Sequence, residues 1–154
     1  GCGDGALFKR FAPMIAEGVG IDPALPRSEA LGSCRLIAGP FPEALPPDTP
    51  PFDLITLLAV LEHIQPEAQR RLAERCVALL KPGGYLVATV PSPSVDHIVP
   101  VLQRLRVMDG TACEEHYGFE PGRTPALFAG LTLRAARTFE LGLNHAFVFQ
   151  RPER

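Results

Sequence analysis

The chain has 154 residues, 46% of them hydrophobic and 21% charged, the balance of a domain that buries a core rather than of a disordered segment. Seventeen acidic side chains against fifteen basic ones leave a net charge of −2, without the basic footprint that draws in nucleic acid. Its four cysteines, Cys2, Cys34, Cys76 and Cys113, form no C-x-x-C pair and read as reduced thiols in a cytoplasmic setting. No stretch approaches the roughly 20 apolar residues of a membrane-spanning helix.

In chain order, the glycine-rich start "GCGDG" runs into a segment with Leu7, Phe8, Phe11, Met14 and Ile15 spaced by threes and fours. That spacing predicts a helix over residues 6–17 with one apolar face, bent or shortened by Pro13. "GVGID" (18–22) is a short buried strand ending on a carboxylate, "PALPRSEAL" a short helix, and "CRLIAG" a second strand. The proline-crowded "PFPEALPPDTPPFD" reads as a loop. A strand is expected over residues 53–58, then a helix over 66–80 with Leu72, Cys76, Leu79 and Leu80 on one face, stopped by "KPGG".

"YLVATV" is a further strand, and residues 98–107 a further helix, before the polar stretch "DGTACEEHYGFEPGRTP". The last part splits into two alternating β patterns about "ELGLN", the signature of a hairpin. Strands alternating with helices and closing on a hairpin argue for an α/β fold with a mostly parallel sheet, and one domain over residues 1–154 is the natural count.

Glycines at 1, 3 and 5 permit a tight turn and a close backbone approach to a ligand, and the helix that follows aims free amide groups at it. Asp22 lies at the interval where an acid closing the next strand receives ribose hydroxyls. A nucleotide-like ligand is the physical reading. "GCGDGA" also satisfies the looser dinucleotide pattern, so a nicotinamide-dependent oxidoreductase stays open on these residues alone.

Four segments, "GCGDG", "GIDPA", "FDLITLLAVLEHI" and "LLKPGGYLVATVPSP", stand in an order and spacing that resemble the class I S-adenosylmethionine-dependent methyltransferases, in particular the small-molecule group with the "VLEH" signature. The likeness spans nearly the whole chain. It implies a Rossmann-like three-layer sandwich with a mostly parallel sheet and an antiparallel C-terminal hairpin. The implied strand order is third, second, first, fourth, fifth, seventh, sixth, with the seventh antiparallel. Because the first strand would precede Gly1, the resemblance implies an N-terminally truncated domain that lacks this strand and a helix covering donor and acceptor. A noncatalytic, truncated module is the reading this leaves beside the enzyme.

The resemblance assigns S-adenosylmethionine as cofactor and distributes it over named residues. Gly1, Cys2 and Gly3 would pass beneath its methionyl part, Asp22 would bind the ribose hydroxyls, and Pro23 would lie against the adenine. The third strand usually ends in a glycine followed by an acid, but here Gly39 is followed by Pro40, which offers neither carboxylate nor backbone donor. Packing and carbonyl contacts from Ala38, Gly39 and Phe41 would then hold the adenine. Leu58 and Ala59 would touch the donor near its sulfonium.

Methyl transfer from a sulfonium needs positioning, exclusion of water and, for a weakly nucleophilic oxygen, a base. His63, flanking the pocket with Glu62, is one candidate, its alternative being a structural place at the start of the next helix. His116, beside Tyr117, is the other, its alternative a solvated loop position. His97 reads as a surface residue, and Asn144 and His145 as turn and strand-edge chemistry. No metal site is expected, "CEEH" (113–116) being the only local cluster of ligand types. The expected partner is a small-molecule acceptor, with a hydroxylated or carboxylated metabolite, a quinone precursor and a sugar all open.

Overall fold

The structure, a computed structural model, describes residues 1–93, 95 and 119–153. The chain divides into two compact units, Gly1–Pro50 and Pro51–Arg154.

In the first unit, helix α1 covers Ala6–Phe11 and passes into a single 3-10 turn, Ala12–Met14. The helix expected to reach residue 17 is therefore cut short. Pro13 lacks the N–H that would continue the ladder, and Met14, expected on the apolar face, is 81% exposed. Strand β1 (Gly18–Asp22) pairs in parallel with β3 (Cys34–Ala38), Gly18 opposite Cys34 and Asp22 opposite Ala38.

The short helix expected over "PALPRSEAL" is not there. Its last three residues form strand β2 (Glu29–Leu31), antiparallel to β3 with Leu31 opposite Cys34. The two-residue connection Gly32–Ser33, with Gly32 at φ 60°, makes a tight hairpin that pairs the backbone directly. The sheet order is β1-β3-β2.

Phe8 of α1 lies against β1 where the strand has no side chains. A Cβ added at Gly18 would come within 2.6 Å of the Phe8 ring and 2.8 Å of Cys34 Sγ, and one at Gly20 within 2.8 Å of both Phe8 and Cys2. Positions 18 and 20 share a face of the strand, so the two glycines are what let helix and loop sit so close.

The second unit holds β4 (Phe52–Leu58), α2 (Pro66–Leu79), β5 (Leu80–Pro91), the short α3 (Thr124–Leu127), β6 (Thr132–Phe139) and β7 (Asn144–Gln150). The order is β4-β5-β7-β6, with β4 and β5 parallel and β7 antiparallel to both neighbours. This is the expected arrangement of the fourth, fifth, seventh and sixth strands. Among the described residues, β1 and β4 each stand at an end of their own sheet. The terminal hairpin turns where "ELGLN" placed it, Phe139 facing Asn144 across left-handed Glu140, Leu141 and Gly142.

"KPGG" is not the helix stop expected of it. Helix α2 ends at Leu79, and residues 81–84 lie within β5, where the register jumps from Phe52 opposite Leu80 to Leu54 opposite Tyr85. Gly84 is packed among backbone carbonyls, an added Cβ meeting Lys81 O at 2.9 Å and Asp53 O at 3.1 Å. The end of α2 is closed instead by Arg151, whose Nη1 donates to the carbonyls of Val77, Ala78 and Leu80. A cation at this end also meets the negative pole of the helix.

One face of this sheet carries the core: Leu57 of β4, Leu86, Ala88 and Val90 of β5, and Phe147 and Phe149 of β7 are buried. So are Leu72, Ala73, Cys76 and Leu79 along α2, and Phe128 closes on Phe149 at 5.3 Å between ring centres. On the other face Leu54, Leu58 and Tyr85 remain exposed. No helix among the described residues is long and apolar enough to cross a membrane. The helix expected over 98–107 falls outside the described residues.

Candidate functional site

The glycine loop of the first unit is built around the end of β1. The N–H groups of Gly1 and Cys2 both donate to Ile21 O, at 2.7 and 3.2 Å, and Gly5 N–H closes a turn on Cys2 O. Gly3 (φ 50°) and Gly5 (φ 77°) take left-handed conformations that a side chain would strain. An added Cβ at Gly3 would meet nothing within 4 Å, so one side of the loop is open.

Asp22 anchors this loop. Its Oδ2 accepts from Gly3 N–H at 2.8 Å, its Oδ1 from Ala24 N–H at 2.9 Å, and its backbone carbonyl from Gly39 N–H at 3.1 Å. Burial pushes its carboxyl up, but the amides of Ala24 and Gly3 pull it down, and the group stands below its ordinary value. Asp22 is therefore a carboxylate at neutral pH. Each of its oxygens keeps acceptor capacity beyond the one amide it receives.

Parallel pairing brings the ends of β1 and β3 together, so Asp22 and Pro23 stand beside Ala38, Gly39 and the turn containing Phe41. Gly39 has φ 137°, and Ala44 would lie 2.9 Å from an added Cβ. Ala38 N–H is held by Ser28 Oγ at 2.9 Å. The structure thus gathers Gly1, Cys2, Gly3, Asp22, Pro23, Gly39 and Phe41 at one end of one sheet. Burial holds the Cys2 thiol above its ordinary value.

In the second unit, Leu58 closes β4 with its side chain 38% exposed, and Ala59 follows in a left-handed conformation, φ 52°. That strain is held by Thr89, whose backbone O and Oγ1 both accept from Ala59 N–H, at 3.1 and 3.0 Å. Glu62 and His63 fall in a 3-10 turn, Leu61–His63, with Glu62 only 3% exposed and His63 N–H donating to Val60 O. Gln69 fastens α2 to this turn, donating to Ile64 O at 2.9 Å and Leu61 O at 3.5 Å.

His97, Cys113, His116 and Tyr117 lie outside the described residues. Among the described ones, no three of His, Cys, Asp or Glu gather as a metal site would require. Sequence reading missed Thr89, Ser28 and Gln69. Only Gln69 carried a signal, since it lies three positions before Leu72 on the apolar face of α2.

A family model described as a methyltransferase domain matches residues 1–134. The chain belongs to the methyltransferase domain family. No curated protein matches it in sequence. Among solved structures, the methyltransferase domain superposes on a chain of the Haloferax volcanii complex between the Trm112 methyltransferase activator and a methyltransferase, with TM-score 0.75, 14% identity, and coverage of 100% of this chain and 80% of that one. N-methyltransferase NodS from Bradyrhizobium japonicum, in complex with S-adenosyl-L-homocysteine, gives TM-score 0.68 and 21% identity over 99% of this chain and 76% of its own. Human N-acetylserotonin methyltransferase in complex with SAM gives 0.63 and 22% over 99% and 46%. At these identities the likeness is one of fold, and the fold is the Rossmann-like one of those methyltransferases. Methyl transfer is the activity that the family carries.

Proposed function

We propose that this methyltransferase domain transfers a methyl group from S-adenosylmethionine to a small-molecule acceptor by in-line displacement. The observation that carries the reading is Asp22, an ionised carboxylate that accepts from the N–H of Gly3 in a left-handed glycine loop while keeping acceptor capacity on both oxygens. Residues present therefore fit the donor. Gly1, Cys2 and Gly3 line its methionyl part, Asp22 receives the ribose hydroxyls, and Pro23, Gly39 and Phe41 pack on the adenine, Pro40 standing where relatives have an acid.

When bound, the sulfonium supplies an already activated methyl group. The chain's part is to orient, to exclude water and to accept the acceptor's proton. For Leu58 and Ala59, donor contact rests on the resemblance of the end of β4, and the strained backbone of Ala59 supports it as the kind of outlier found at ligand sites. His63 and His116 remain candidate bases on the same resemblance. Residues 1–154 are read as one domain, and the free thiols Cys2, Cys34 and Cys76 suit a reducing cytoplasm.

Calorimetric titration with S-adenosylmethionine tests the reading. Saturable binding, weakened at least about tenfold in Asp22→Asn by loss of the charge-assisted hydrogen bonds, is expected. Binding of a nicotinamide dinucleotide with none of S-adenosylmethionine would overturn it.

A further inference from the structure

We propose that the Ser28 hydroxyl reads the hydrogen-bonding edge of the donor's purine and, because it can both donate and accept, lets the site take a 6-oxo purine as well as a 6-amino one; this rests on the S-adenosylmethionine reading above. All the groups involved belong to the unit Gly1–Pro50.

Open α/β sheets take their ligands at the carboxyl ends of the parallel strands. β3 runs parallel to β1, so Ala38 ends level with Asp22, and β2 runs antiparallel, so it starts at that same end, with Glu29 opposite Leu36. Ser28 is the residue just before β2, and its Oγ accepts from Ala38 N–H at 2.9 Å. Neighbouring strands lie about 4.8 Å apart, so in the order β1-β3-β2 the line of Ser28 is two spacings, roughly 10 Å, from the strand that carries Asp22. A nucleoside whose ribose sits on Asp22 and whose purine lies across the end of β3 brings the far edge of the base to Ser28, which is exposed.

Most other polar groups at this end are already spent. The amides of Gly3 and Ala24 donate to the Asp22 carboxylate, and those of Leu25 and Gly39 to its carbonyl. Pro23, Pro40 and Pro42 have no N–H, and Pro40 O accepts from Ala44 N–H at 2.8 Å. The Ala38 amide is taken by Ser28 itself.

A serine oxygen carries one proton and two lone pairs, and Ala38 N–H occupies one lone pair. The proton and the second lone pair are left for a ligand, and the hydroxyl can turn about its C–O bond. Against adenine it donates to N1, which is an acceptor. Against a 6-oxo purine, whose N1 carries a hydrogen, it accepts. A carboxylate in its place could only accept and would tell the two bases apart. Sites reject an analogue when one of their own polar groups is left unpaired, and an exposed hydroxyl able to reverse its role is not.

Calorimetry on the chain, with S-adenosylmethionine and S-inosylmethionine as probes, tests this. The wild type should bind both, with dissociation constants within about threefold of each other. Ser28→Ala should weaken both by about fivefold, the size of one neutral hydrogen bond, and Ser28→Thr, which keeps the hydroxyl, should return both to within about twofold of wild type. Should Ser28→Ala fail to melt cooperatively, the wild-type pair of affinities decides alone. A difference beyond about threefold between the probes in the wild type overturns the proposal, a preference for the 6-amino base pointing to an acceptor-only group such as Glu43. Unchanged affinities in Ser28→Ala overturn it as well and point to the Phe41 amide. Failure of the wild type to bind S-adenosylmethionine would instead sink the donor reading.

Discussion

Gly20→Ala adds one methyl group beneath the glycine loop, and the structure sets what that costs. The new Cβ would stand 2.8 Å from Cβ and Sγ of Cys2 and 2.8 Å from the ring of Phe8. Carbon contacts are most favourable at about 3.5–4.0 Å, so both neighbours must retreat by roughly 0.7 Å or more. Cys2 cannot swing away freely, because its N–H is tied to Ile21 O. Overpacking of this kind costs about 1–3 kcal/mol, and the narrower unfolded ensemble of alanine returns about 0.4–1 kcal/mol. Mid-range values of about 2 and about 0.7 kcal/mol leave a net loss of about 1.3 kcal/mol, which lowers Tm by about 3–5 °C for a chain of this size.

Gly18→Ala serves as the control. Its Cβ would press on Phe8 and on Cys34 Sγ of β3, leaving Cys2 alone. Both variants should melt earlier by circular dichroism, but only Gly20→Ala should also weaken S-adenosylmethionine binding by calorimetry, since Cys2 carries the loop that ends on Asp22. An unchanged Tm would refute the packing argument. A lowered Tm with wild-type affinity in Gly20→Ala would refute the link between loop and donor.

Three further outcomes are expected. The depressed carboxyl of Asp22 contributes stability that is present above the ordinary carboxylate value and is lost as pH falls through its lower folded value. Between about pH 5 and pH 3 the wild type should therefore lose more Tm than Asp22→Asn, and parallel acid profiles would contradict the assignment. Arg151→Ala removes a charged donor from the carbonyls of Val77, Ala78 and Leu80 and should cost about 1–2 kcal/mol in urea unfolding, an unchanged midpoint counting against that role. Gln69→Leu strands the part-buried Ile64 carbonyl, Leu61 O keeping the N–H of Ile64, and should cost about 1–3 kcal/mol despite the gain in apolar area, a neutral effect counting against that role.

Strand β1 was legible to the residue because its short apolar run is bounded by Gly18 and a terminal acid, and the C-terminal hairpin because alternation breaks at a turn-forming tetrad. Local signals lost where pairing across the sheet decided. "SEAL" has helical character, yet Gly32–Ser33 folds it back on β3, a hairpin signal present in the letters and outweighed by propensity. "KPGG" carries every mark of a helix end, and only the parallel partner β4 makes it a bulge inside β5. The gathering of Asp22 and the glycines at the end of β1 was readable because they act through backbone geometry that spacing reports. Thr89 was not, since its task, holding Ala59 in a left-handed conformation, is set by a neighbour 30 positions away. Ser92 with His145 is the same case at 53 positions, two residues that only the antiparallel register brings together.

The central claim is that the loop braced by Asp22 holds a sulfonium nucleoside, and one titration addresses it most directly. Calorimetry of the wild-type chain and Asp22→Asn against S-adenosylmethionine should give saturable one-to-one binding in the first and at least about tenfold weaker binding in the second. Equal affinity in the two, or no binding by a wild-type chain that melts cooperatively, would contradict the account.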